Sequence, residues 1–113
     1  KSNCKVIAVE PSSSPILSKG VKGSHNVEGV GLGFVPKIYD EKLVDNVIAI
    51  DETEAREICK DLAKKEGIFC GTSSGMNVAA AIQISKELGP KSKVVTVACD
   101  TGLKYLSEGL FDD

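Results

Sequence analysis

Gly71-Thr72-Ser73-Ser74-Gly75 is the stretch of this chain best suited to chemistry. Its glycines let a ligand approach the backbone, its hydroxyls can donate or accept hydrogen bonds, and an apolar run follows at once. A helix starting here would leave its first amide groups without intrahelical partners, ready to receive an anion or a heteroaromatic ring. A serine N-cap in a tight turn is the purely structural alternative. Two other chemistries are excluded. No lysine follows the glycine-rich turn as in a phosphate-binding loop, and no serine stands between singly spaced glycines as a hydrolase nucleophile. A serine–histidine–carboxylate triad would have one base available, because His25 is the single histidine.

Gly29, Gly31 and Gly33, followed by Phe34 and Pro36, form a second cluster. It matches the first half of a dinucleotide fingerprint, but no clear strand precedes it and no long helix follows. A turning or mobile loop is the better physical reading. His25 reads as an ordinary loop histidine, with substrate binding or proton shuttling as the alternative. Lys19, Lys22 and His25 either make this loop positive enough to attract a carboxylate or lie scattered on a solvated face. Cys4, Cys59, Cys70 and Cys99 lack metal-ligand spacing and lie in or beside apolar stretches, so they read as free, buried thiols of a reducing compartment.

The elements that must position these residues follow from periodicity. Residues 5–9 (KVIAV) predict a buried strand ended by Glu10-Pro11, and residues 46–50 (NVIAI) a second. The serine-, glycine- and proline-rich stretch 11–36 between them is long for a connection in a compact domain, which suggests a functional loop assembly or short elements. Asp51 predicts a helix N-cap with Glu54 as its capping-box partner. Ala55, Ile58, Cys59, Leu62 and Ala63 form one stripe, and Gly67 closes the helix. A second helix should begin inside the 71–75 run and end near Leu88, before Gly89-Pro90, with its alanines allowing close neighbours. Residues 94–98 (VVTVA) predict a third strand. Tyr105, Leu106, Leu110 and Phe111 look like packing residues of a short helix or turn. Apolar strands alternating with amphipathic helices indicate an α/β fold, a mainly parallel sheet covered by helices.

Composition agrees with a folded chain: of 113 residues, 42% are hydrophobic and 27% charged. A formal charge of -2 gives no reason to expect a nucleic-acid partner. No apolar run approaches the roughly 20 residues that cross a bilayer, and no charged-then-apolar leader opens the chain, so no membrane association is expected.

Several patterns then coincide. Val9-Glu10-Pro11, Ile16-Leu17-Ser18-Lys19-Gly20 and the run from Gly29 to Pro36 resemble successive landmarks of the cysteine synthase (O-acetylserine sulfhydrylase) family. So do the run from Glu66 to Gly75 and the tail Asp100-Thr101-Gly102-Leu103-Lys104-Tyr105-Leu106-Ser107. This group belongs to the tryptophan-synthase-like pyridoxal-phosphate enzymes, so the resemblance implies that fold, that cofactor, and replacement of the acetate of O-acetylserine by sulfide. It implies that residues 1–113 are a C-terminal portion of the cofactor-binding region, with 11–36 as the substrate-entrance loop region. Ser73 would hydrogen-bond the pyridine nitrogen, with Gly71 and Thr72 beside the ring. Gly29, Gly31 and Gly33 would allow closure over substrate. Ser74, as a helix cap, and Asp100 and Tyr105 would give support from behind.

The Schiff-base lysine, the substrate-carboxylate loop and the phosphate cup of the family would all lie upstream of the first residue. None of the lysines present takes the Schiff-base role, and no metal is expected. The resemblance further implies a missing N-terminal portion, a homodimer, serine acetyltransferase as a partner, and a cytoplasmic setting with an organellar origin left open. The alternatives are cystathionine β-synthase-like chemistry and a noncatalytic remnant that binds the acetyltransferase.

Overall fold

The computed structural model describes residues 3–112. Strand β1 (Ile7–Pro11) and strand β2 (Asn46–Ile50) pair in parallel, in register from Ile7 opposite Asn46 to Pro11 opposite Ile50. The second strand falls where the apolar run predicts it. The first is displaced: it starts two residues late and runs through Pro11, where an end is predicted. Proline costs nothing here because the next donor, Ser12 N–H, reaches Ile50 O at 2.9 Å, so the ladder has no use for an amide at position 11.

Between the strands, residues 12–45 wind around a short helix α1 (Ile16–Lys19). Buried Glu10 holds its start, its carboxylate accepting from Leu17 N–H (2.7 Å) and Ser18 N–H (2.9 Å). Helix α2 (Glu52–Asp61) begins as predicted, with Asp51 accepting from Thr53 and Glu54 N–H. The reciprocal half of the capping box, from the Glu54 carboxylate, is not formed among the described residues. A π-helical turn (Leu62–Glu66) continues the helix to Gly67, which closes it at φ 68°.

Helix α3 (Thr72–Leu88) is the longest element and makes its largest contact with α2. The two approach so closely at Gly75 that a Cβ there would overlap the Ala55 carbonyl oxygen and stand 2.7 Å from Cys59 Sγ. Ala55, Met76, Ala79 and Ala80 build the main core together with Val27, Ile48 and Ile50. A 3-10 turn (Gly102–Glu108) places Tyr105 with Cys59 and Leu110 in a second cluster, and the Phe111 ring packs 4.6 Å from that of Phe69, tilted by 42°. Leu106, predicted to pack, is exposed instead.

Residues 94–98 are not a strand. A strand needs a ladder partner, and this segment runs beside no described strand; Asn77 Nδ2 donates to Val97 O at 3.0 Å instead, tying it to α3. Val95 is 91% exposed. A groove of about 410 Å³ separates the segment from β1, floored by Ala80, Ala81 and Ile84 of α3. The cysteine expectation holds only for Cys59 and Cys70; Cys4 and Cys99 are exposed. All four are free thiols.

Candidate cofactor-ring site

The 71–75 run does start a helix. Gly71 is its N-cap in extended conformation, and Thr72, Ser73 and Ser74 form the first turn with no side-chain cap. Ser74 therefore does not cap the helix. Its hydroxyl accepts from Cys99 N–H at 2.8 Å and so anchors the 94–99 segment, which satisfies a group that the helix start would otherwise have used. The neighbouring Ser73 hydroxyl makes no hydrogen bond among the described residues. Ser73 is 7% exposed, so this free hydroxyl sits at the floor of the surface, next to helix-start amides that lack intrahelical partners. Thr72 is buried beside it.

Gly71 is held from three directions. Its N–H donates to Asp100 Oδ1 at 3.2 Å, and Tyr105 Oη donates to Asp100 Oδ2 at 2.6 Å. Its carbonyl accepts from the Cys59 thiol at 3.0 Å and from Gly75 N–H at 3.1 Å. A Cβ at position 71 would overlap both the Tyr105 ring and the Asp100 carboxylate. Glycine is thus needed here for space, its backbone being ordinary extended chain. The Cys70–Thr101 bridge, and Gly102 N–H donating to Phe69 O at 3.1 Å, lay the 100–105 segment alongside.

Burial, followed by the bond to Asp100 and its charge, pushes the Tyr105 phenol above its ordinary range, so it stays a neutral donor. Burial, followed by the nearby Cys70, pushes Cys59 up to about 12, and burial raises Cys70 as well. Such thiols are inert at neutral pH and serve as packing and a weak donor.

Gly29, Gly31 and Gly33 all have positive φ (80°, 56° and 82°), which fits a loop that turns repeatedly and no dinucleotide-binding strand–turn–helix. The loop approaches the ring site through Glu28: Lys104 Nζ lies 3.8 Å from Glu28 Oε1 and 3.7 Å from Asp100 Oδ2. His25 lies inside the loop and bonds to it. Sequence reasoning missed the Cys59 contact, because its place on the apolar stripe of α2 marks it only as core. It also missed Glu28 and Lys104, which carry no local signal.

The residues fit the ring end of a pyridoxal group. A neutral, unpartnered hydroxyl suits an unprotonated pyridine nitrogen.

The profile of the family described as "Pyridoxal-phosphate dependent enzyme" matches residues 1–100. A cysteine synthase of Staphylococcus aureus (strain Mu50 / ATCC 700699) is 43% identical across 98% of this chain and 36% of its own length. The crystal structure of a cysteine synthase from Entamoeba histolytica superimposes with a TM-score of 0.92 at 34% identity, covering all of this chain and 34% of that one. An O-acetylserine dependent cystathionine beta-synthase from Helicobacter pylori superimposes at 0.87 with 36% identity, over 95% of this chain and 35% of that one. The chain thus spans about a third of the length of the relatives it matches. With parallel strands, covering helices and a family match over residues 1–100, it belongs to the pyridoxal-phosphate dependent enzyme family.

Proposed function

We propose that this chain forms the ring-holding wall of a cysteine synthase that exchanges the acetate of O-acetylserine for sulfide. The observation that carries the reading is the free Ser73 hydroxyl at the start of α3, in a chain 43% identical to a cysteine synthase. Ser73 would hold the pyridine nitrogen of the cofactor through its hydroxyl, with Thr72 and Gly71 beside the ring. Pyridoxal phosphate, when bound, supplies the electron-withdrawing ring that β-replacement requires. A neutral hydroxyl leaves the ring nitrogen unprotonated and limits that withdrawal, which suits loss of a β-substituent. Asp100, Tyr105 and Cys59 hold Gly71 in place. Gly29, Gly31 and Gly33 form the segment that covers bound substrate and keeps water out.

The groove beside β1 supports a second part of the proposal. A preceding portion of the polypeptide supplies the Schiff-base lysine, the substrate-carboxylate loop and the phosphate cup. One of its strands fills the groove, pairing with β1 on one side and with residues 94–98 on the other.

The test is made on the complete polypeptide. It should form cysteine from O-acetylserine and sulfide, and the 113-residue chain alone should not. Ser73→Ala should weaken cofactor affinity about fivefold, the worth of one neutral hydrogen bond, and leave the covalent link in place. Unchanged affinity, absorbance and turnover in that variant refute the role of Ser73. Formation of cystathionine in place of cysteine refutes the choice of product.

A further inference from the structure

His25 is the single histidine, and its ring is bonded at both nitrogens. Nδ1 lies 3.1 Å from Val27 N, and Nε2 lies 2.8 Å from Gly31 O. A backbone N–H can only donate, so Nδ1 must present its lone pair. The proton then sits on Nε2, and Nε2–H donates to the Gly31 carbonyl. This one tautomer satisfies both contacts.

The base of the ring is fixed to the body of the protein: Asn26 N–H donates to Glu52 Oε2 of α2 at 3.0 Å, and Val27 is 3% exposed in the main core. The other end of the contact requires glycine. Gly31 stands at φ 56°, and a Cβ there would overlap His25 Nε2 and lie 2.9 Å from Pro11 Cγ at the end of β1. Only a glycine lets its carbonyl approach the imidazole this closely.

We infer that His25, as the Nε2–H tautomer, is the positioning residue of the 29–33 segment, latching Gly31 to the core through α2 and Val27. The latch stands on this geometry alone; its part in substrate entry rests on the functional reading above. Glu28, Glu52, Arg56 and Glu108 line the same cavity as His25, and among the described residues none of them bonds an imidazole nitrogen, which leaves both nitrogens to Val27 and Gly31.

Two substitutions separate the two bonds. His25→Asn keeps an acceptor for the amide two residues on, as an Asx turn does, and loses the reach to Gly31. His25→Gln carries an amide N–H2 out to the Nε2 position. Nitrogen-15 NMR of the wild-type imidazole should show Nε2–H, and the Nδ1–H tautomer would overturn the inference without any variant. In His25→Asn, amide exchange at Val27 should stay at the wild-type rate while the backbone NMR order parameters of Leu32 and Gly33 fall, and His25→Gln should restore most of that loss. Equal order parameters at Leu32 and Gly33 in wild type and His25→Asn would overturn the latch.

In the complete enzyme, His25→Asn should raise the O-acetylserine KM about fivefold with the resting cofactor absorbance unchanged, and His25→Gln should return it. A loosened loop with an unchanged KM overturns the positioning role. A wild-type polypeptide that binds no cofactor overturns the functional reading and leaves the tautomer and order-parameter results to decide the latch.

Discussion

Gly75→Ala sets two opposed effects against each other, and the structure says which prevails. Inside an exposed helix, alanine is about 1 kcal/mol better than glycine. At position 75 the added methyl would overlap the Ala55 carbonyl oxygen, approach Ala55 C to 3.0 Å and Cys59 Sγ to 2.7 Å. Contacts of this kind relax only near 3.5–4.0 Å. The obstacle is mostly backbone, so no side chain can rotate aside, and α2 must move away from α3 along the largest contact in the fold. Ala55 and Cys59 are both 0% exposed, so the movement opens space in the centre of the molecule. Overpacking of this sort costs on the order of 3 kcal/mol, which leaves a net loss of about 2 kcal/mol after the gain in helix propensity. Urea unfolding followed by far-UV circular dichroism should show the midpoint falling by about 1.5 M with little change in slope. Adding Cys59→Ala removes the sulfur but not the carbonyl, so most of the loss should remain. A Gly75→Ala chain as stable as wild type would refute the close approach of the two helices.

Other substitutions test the surroundings of the ring site. Tyr105→Phe removes the 2.6 Å bond to Asp100 and should lower stability by about 1–2 kcal/mol in thermal unfolding, and an unchanged midpoint would deny that bond any weight. Cys59 ionises at 9.0 in the unfolded reference and at about 12 in the fold. The folded value is the higher one, so the stability tied to the neutral thiol is complete below about pH 9 and is lost as pH rises towards 12, by up to about 4 kcal/mol. Cys59→Ala should flatten that alkaline decline in denaturant titrations, and a slope that persists unchanged would remove the thiol as its source. In the complete enzyme, Gly31→Ala should keep the resting cofactor band and slow the substrate-driven absorbance change at least about fivefold in stopped-flow, because alanine at φ 56° is strained and displaces His25.

Much of the fold was legible because it is set by local chemistry. Asp51 at a helix start, Gly67 at a helix end and the apolar run 46–50 each act through their own neighbours in sequence, and each stands where periodicity and capping put it. The misplacements share a different cause. Whether Pro11 ends β1 depends on which amide faces Ile50 O, a matter of register between residues about forty positions apart. Whether 94–98 forms a strand depends on a partner, and the composition of Val94 to Ala98 records suitability for a sheet without saying what lies beside it. Serine at a helix start usually caps, and the sequence of 71–75 predicts that role for Ser74. The competing Cys99 N–H arrives from twenty-five residues downstream. At the candidate site, glycine and hydroxyl content mark the helix start at 71–75, whereas the groups that hold it, Asp100, Tyr105 and Cys59, are tied to Gly71 only by folding.

The same contrast of strengths decides how the entrance segment relates to the ring site. Lys104 bridges them on paper, with Glu28 on one side and Asp100 on the other. Yet Lys104 and Glu28 side chains are 52% and 60% exposed, and both contacts are near 4 Å. Pairs of that kind contribute between nothing and about 1 kcal/mol each and weaken further with salt. Tyr105–Asp100–Gly71 is shorter and shielded, with the tyrosine 3% exposed. The 71–75 wall is therefore fixed from within residues 59–105, and the 29–33 segment is not locked to it by charge. What governs that segment is its three positive-φ glycines and the His25 contact at its centre. A rigid wall and a loop released by one or two hydrogen bonds is the division a closing site needs. On the proposed function, the cofactor surface would stay in place while the cover moves at a cost that substrate binding can meet.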